Sequence, residues 1–90
     1  MATTAALTEA WNYIRFTGTN PTYTVPTNAT VAFPLGTEID GIGIATSMTI
    51  IPAAGVIINK ARTLVTLGGR SGWTLIKVAV DEWDAHGDFA

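Results

Sequence analysis

The sequence predicts an all-β protein, a small antiparallel sandwich or barrel with a short N-terminal arm. Three observations predict it. From Thr22 onward, short apolar runs end at Pro or Gly at intervals of roughly 8–12 residues, the spacing of strands and turns in a sandwich or barrel. Those runs concentrate β-branched and aromatic residues, which suit a pleated, half-buried surface. The longest of them, "WTLIKVAV" (residues 73–80), divides cleanly into two side-chain parities, as a strand requires.

The elements follow in order. Residues 2–15 are rich in Ala and Thr. Leu7, Trp11 and Ile14 share a face if the segment is helical, whereas the close run Trp11, Tyr13, Ile14, Phe16 suits an extended arm. "GTNP" (residues 18–21) is a loop, because Gly tolerates positive φ and the residue before Pro leaves the α region. The arm is therefore residues 1–21 and the β module residues 22–90. Within the module "TYTV" (22–25) stops at Pro26 and "TVAF" (30–33) at Pro34. "EIDGIGIA" (38–45) sets Ile39 on one parity and Ile42 and Ile44 on the other, which predicts a bulge or bend at "DGIG". "MTII" (48–51) stops at Pro52, "AAG" turns, and "VIIN" (56–59) and "TLVTL" (63–67) follow. After the loop "GGRSG" (68–72), residues 73–80 place Thr74, Ile76, Val78 and Val80 on one face and Trp73, Leu75, Lys77 and Ala79 on the other. Both faces are largely apolar, so the strand is expected to be covered by the core on one side and by a neighbouring subunit on the other. A short last strand spans residues 82–86.

Composition points the same way. Ninety residues make one domain near the low end of independent stability, and such domains usually need a disulfide, a metal or oligomerisation to supplement the core. With no cysteine, the first route is closed. Only 13% of residues are charged against roughly 25% in typical soluble domains, while 48% are hydrophobic. Hiding uncharged surface in a subunit interface resolves that excess. A net charge of −2 provides no basic face for nucleic acid. No apolar run reaches the length of a membrane span, and the N-terminus lacks a signal peptide's basic start and apolar centre, so synthesis and initial residence in the cytoplasm are expected.

Reactive chemistry is sparse. The single histidine is His86, and "GRSG" lacks the nucleophile frame, the following helix and the lysine that would make it a catalytic or phosphate-binding turn. "NAT" (28–30) matches a glycosylation acceptor but reads as an Asn-initiated turn. In "DEWDAHGD", Glu82, Asp84, His86 and Asp88 fall on one side of a strand, a set that would hold a divalent cation or, more simply, would keep an edge strand solvated. No metal, cofactor or catalytic residue is assigned. Four of the five cations, Lys60, Arg62, Arg70 and Lys77, precede four of the seven acids, so neighbouring subunits have complementary blocks to pair.

"VAFPLGTEI" (31–39), "MTIIPAAGVII" (48–58) and "TLIKVAVDEW" (74–83) followed by "GD" (87–88) resemble, in order and spacing, a β-rich module of tailed-bacteriophage virion proteins, found at the C-terminal ends of tail fibres and as small standalone virion proteins. The resemblance covers about two thirds of the chain. It implies a structural, non-enzymatic role in the virion and a homotrimer. A chain starting at Met1, with a short arm and no repeats or heptads, favours a capsid decoration or cement protein over a tail fibre or other tail appendage that binds the host. On that expectation Trp11, Tyr13, Ile14 and Phe16 anchor the arm to the major capsid protein or another virion protein. Trp73, Leu75, Lys77, Glu82 and Trp83 are the expected subunit interface.

Overall fold

The computed structural model describes residues 2–90. It contains eight strands and one short 3₁₀ turn (Leu7–Glu9): β1 (Ala2–Thr4), β2 (Tyr13–Phe16), β3 (Thr22–Val25), β4 (Glu38–Gly43), β5 (Thr49–Pro52), β6 (Ile57–Asn59), β7 (Ser71–Ala79) and β8 (Glu82–Gly87). These form a three-stranded sheet in the order β1-β3-β5 and a five-stranded sheet in the order β2-β4-β7-β8-β6. The all-β class holds, in two sheets that do not close into a barrel. The expected antiparallel order does not hold. β1 and β5 run parallel to β3, β2 runs parallel to β4, and β6 runs parallel to β8; only β4 with β7 and β7 with β8 are antiparallel.

The reason lies in what the turn residues do. Successive strands from β1 to β6 alternate between the two sheets, so Gly, Pro and Asn turns carry the chain from one layer to the other instead of closing hairpins. β3, β4 and β5 each return beside the strand two places earlier, with Ala2 opposite Thr22, Tyr13 opposite Asp40, and Thr22 opposite Thr49. Connections this long are what parallel pairing needs. The β7–β8 hairpin then fills the space between β4 and β6.

Three local expectations are corrected. Residues 63–67 form no strand, only isolated bridges from Val65 to Thr49 and from Thr66 to Phe89. Residues 30–33 form no strand: Phe33 is buried, but its carbonyl accepts the Lys77 ammonium at 2.7 Å, and the N–H groups of Thr30 and Val31 both bond back to Thr27. No bulge occurs at "DGIG", since β4 pairs with β7 without interruption from Glu38↔Ile76 to Gly43↔Ser71. Gly41 keeps the inward parity of Ile39 and Gly43 by simple alternation, and the position is glycine because a side chain there would collide with the Trp73 ring. The register shift lies instead between Lys77 and Ala79 of β7.

The core lies between the sheets. Phe16, Tyr23 and Trp73 pack at ring-centroid distances of 5.3–6.1 Å, and Phe33 meets Trp83 edge-on at 5.4 Å. Trp73 donates its indole N–H to Met48 Sδ at 3.1 Å. Phe16 belongs to β2, and β1 and β2 pair with β3 and β4, so the division at residue 21 separates segments that share both sheets and one core. The N-terminal segment is the first winding of the fold, not an arm beside it.

Candidate attachment surface

The N-terminal winding begins with a compact turn. Glu9 Oε1 accepts the Ala6 N–H at 3.0 Å and the Tyr23 hydroxyl at 2.7 Å, which ties the 3₁₀ turn to the core. Burial first, and then the bond to Glu9, push the Tyr23 phenol well above its ordinary pKa, so it stays a donor. The chain then reverses through Trp11, whose φ of 65° is unusual for a bulky side chain. The Trp11 N–H donates to the Glu38 carbonyl at 2.6 Å, and the Asn12 side chain caps the Thr8 carbonyl at 2.6 Å. These bonds hold the backbone, while the indole projects away from the core with 67% of its surface exposed.

Beyond the turn, the alternation of β2 sorts the four side chains expected to anchor the arm. Tyr13 points outward and is 61% exposed. Ile14 is half-buried against the core, and Phe16 is inside it at 1% exposure. Phe16 is therefore a core residue and not an anchor, for the ordinary reason that a strand sends successive side chains to opposite faces. Tyr13 remains exposed on β2 and Trp11 and Leu7 in the turn that leads into it; β2 is an edge of the five-stranded sheet, and β1 is an edge of the three-stranded sheet.

The outward face of the five-stranded sheet adjoins that edge. Its rows follow from the register: Tyr13, Asp40, Thr74 and His86 in one, Glu38, Ile76, Asp84 and Asn59 in the next, then Glu82 with Ile57. Gly72 leaves the sheet bare beside Tyr13 and Asp40, and Gly87, at φ 135°, has no room for a Cβ because the Gly72 carbonyl and the Trp73 backbone lie against it. The result is a shallow trough of about 410 Å³ with Tyr13 on one side and Asp88 on the other.

The polar side chains of this face are bonded mainly to one another. The Thr74 hydroxyl donates to Asp40 Oδ1 at 2.6 Å and is thereby committed away from His86. Asn59 bridges Glu82 and Asp84 at 2.8 and 3.0 Å. Repulsion from Asp40 raises the Glu38 carboxyl above its usual range, against an opposing pull from His86. Among the described residues no three His, Cys, Asp or Glu side chains converge to hold a metal ion.

The residues expected at a subunit interface are placed differently. Trp73, Leu75, Lys77 and Trp83 all lie inside the chain, at 3% exposure or less, and only Glu82 reaches the outer face. Strand β7 does have two faces, but the one left open is Thr74, Ile76 and Val78. Sequence reasoning could not choose the parity, because Trp73 and Leu75 on one side and Ile76 and Val78 on the other are equally apolar. Lys77 misled most: its ammonium sits at 2% exposure and donates to Asn28 Oδ1 at 2.6 Å as well as to the Phe33 carbonyl. Asn28 in turn donates its N–H to Asp81 Oδ1 at 2.6 Å, so Lys77 pins the connection before β4 to the hairpin.

No protein-family model matches the chain, and no similar curated protein or solved structure is found.

Proposed function

We propose that the chain is a structural, non-enzymatic protein of a bacteriophage virion, a capsid decoration or cement protein that stabilises the head as a homotrimer. Trp11 and Tyr13 attach it to the major capsid protein or another virion protein. The observation that carries the attachment is Trp11, a large indole left two-thirds exposed on a backbone held in the left-handed region by its own bond to Glu38. Strain of this kind costs about 1–3 kcal/mol and is concentrated where a side chain must be presented. Tyr13, two residues on, adds a second amphipathic ring, and such rings dominate interface energetics. The virion setting rests on the three segments that resemble phage modules.

The test adds purified protein to undecorated particles and counts bound copies. A Trp11→Ala/Tyr13→Ala variant is expected to lose about 2 kcal/mol or more of binding per side chain while its far-ultraviolet spectrum is unchanged, since both rings lie outside the core. Equal occupancy by the variant and the wild type would overturn the attachment site.

The tail-fibre reading has one observation in its favour. Because the winding is parallel, the open edges of β1 and β2 are where a preceding stretch of a longer chain would stack as a further turn. Antibody labelling of intact virions separates the two: label over the whole head in many copies supports decoration, and label at the tail end in few copies supports the fibre.

A further inference from the structure

We infer that the outward face of the five-stranded sheet docks a second copy of this chain through the basic segment 60–70, in a head-to-tail contact. The inference deepens the proposed function, on which the chain works as a repeated subunit.

The two surfaces are complementary in both charge and polarity. The sheet face carries Glu38 and Asp40 from β4 and Glu82 and Asp84 from β8, the two strands that flank β7, with Arg15 as its only permanent cation among the described residues. Segment 60–70 carries Lys60, Arg62 and Arg70, all exposed, and contains no acid. Each surface also presents apolar groups: Ile57, Val78 and Tyr13 on the face, Val65 and Leu67 on the segment. Among the described residues, no lysine or arginine side chain hydrogen-bonds a carboxylate; Lys77, the cation that does make bonds, uses a neutral amide and a carbonyl. The charges of the two surfaces are therefore left for an outside partner, and each surface is the chemical counterpart of the other.

The geometry makes the contact head-to-tail. Segment 60–70 is fixed along β5 and the C-terminus, with the Ile50 N–H donating to Leu64, the Thr66 N–H to Met48, and the Thr63 N–H to Ala90. That sets residues 64–66 against the edge of the three-stranded sheet and leaves Arg62 beside Ala85 and His86 at the border of β8, so the segment and the acidic face are different surfaces, and among the described residues no cation of the one bonds an acid of the other within a copy. A contact between two different surfaces generates a closed ring or an open filament. The molecule measures 32 by 26 by 22 Å, which gives its broad faces roughly the 800 Å² per partner that a stable interface buries.

The experiment uses charge reversal in solution, without particles, so that its failure is separable from failure of virion attachment. Sedimentation equilibrium at low and high salt is measured for the wild type, for Glu82→Lys/Asp84→Lys, for Lys60→Glu/Arg62→Glu, and for an equimolar mixture of the two variants. The wild type is expected to associate, more weakly at high salt. Each reversed variant alone is expected to associate at least about tenfold more weakly, and the mixture to recover through the restored pairing of opposite charges. Circular dichroism confirms folding, since most of the altered side chains are exposed and none is in the core. A wild type that stays monomeric at every concentration overturns the inference. So does a mixture no stronger than its components.

Discussion

The two faces of the five-stranded sheet are built from the same strands and obey opposite rules. Inward, Ile39, Trp73, Leu75, Trp83 and even Lys77 are all but closed to solvent, and every polar group among them has a partner. Outward, one residue along each strand, lie Asp40, Thr74, Ile76, Asp84 and His86, half-exposed or exposed and loosely bonded. The difference teaches that a strand with apolar residues on both parities does not declare its buried face. That choice is made by neighbours: Gly41 opens room for one ring, and the Phe33 and Asn28 acceptors open room for one ammonium.

The sharpest way to break the comparison is to truncate one residue on each face of β7. Leu75→Ala is expected to cost about 2–5 kcal/mol, because it removes a buried side chain and leaves a cavity. Val78→Ala, at 43% exposure, is expected to cost about 0.5 kcal/mol or less. Urea unfolding of both variants measures the gap, and equal midpoints would mean that the two faces of β7 are not buried differently.

Gly41 sharpens the claim that neighbours choose the face. A methyl group there meets the Trp73 indole, so Gly41→Ala should cost about 1–3 kcal/mol by overpacking. Trp73→Phe shrinks the ring, and the double variant should then lose less than the sum of the two single variants, as coupled neighbours do. Strict additivity in a double-mutant cycle would place the origin of the cost somewhere other than this contact.

Lys77 tests the same claim for a polar side chain. Lys77→Met keeps the apolar stem but strands the Phe33 carbonyl and the Asn28 amide oxygen, which should cost about 1–3 kcal/mol. The loss should be local first. Hydrogen exchange is expected to rise across residues 26–37 before it rises in β8, since the lysine is what fastens that connection to β7. Uniform exchange through both regions would show that the connection is held by other means.

How much of this was legible in the sequence can be judged residue by residue. The strand at residues 22–25 was readable to the residue, because alternation and Pro26 bound it. The strands around Thr49, Ile57 and Trp73 were readable to within about two positions. Their partners were not. A Pro or Gly turn announces a change of direction without saying whether the chain returns in the same sheet or crosses to the other, and here the turns from Phe16 to Ile57 cross. Of the candidate surface, Trp11 and Tyr13 were visible as aromatics with little around them in sequence to bury them. Phe16 looked the same locally, and only its pairing beside Gly43 under Tyr23 and Trp73 sends it inward. The acidic face was half visible: "DEWDAHGD" displayed Glu82, Asp84 and His86 on one side, but Glu38 and Asp40 join them only through β4–β7–β8 register across many residues of chain.

The smallest expected effect concerns charge along β4 on that face. Asp40 raises the Glu38 carboxyl, so the folded chain binds the Glu38 proton more tightly than the unfolded chain does. Stability tied to this group is therefore fully present below the unfolded value, about 4.3 for a glutamate, and is lost as pH rises through the raised folded value. Above that window both carboxylates are charged and repel. Glu38→Gln removes the repulsion without changing the shape of the side chain, so it should melt slightly higher than the wild type at neutral pH, with the difference closing as the pH falls below about 4.3. Added salt should shrink the difference at neutral pH, because the two groups are accessible to solvent and their repulsion is screened. His86 works in the other direction by attracting the Glu38 carboxylate, so the same comparison made in a His86→Ala background should show a larger difference on the acidic side of neutrality. Melting curves for the two pairs, taken at intervals from pH 3 to pH 8, decide the matter. If Glu38→Gln tracks the wild type at every pH and salt concentration, the outward face tolerates its carboxylates without strain, and the contrast between the two faces rests on packing alone.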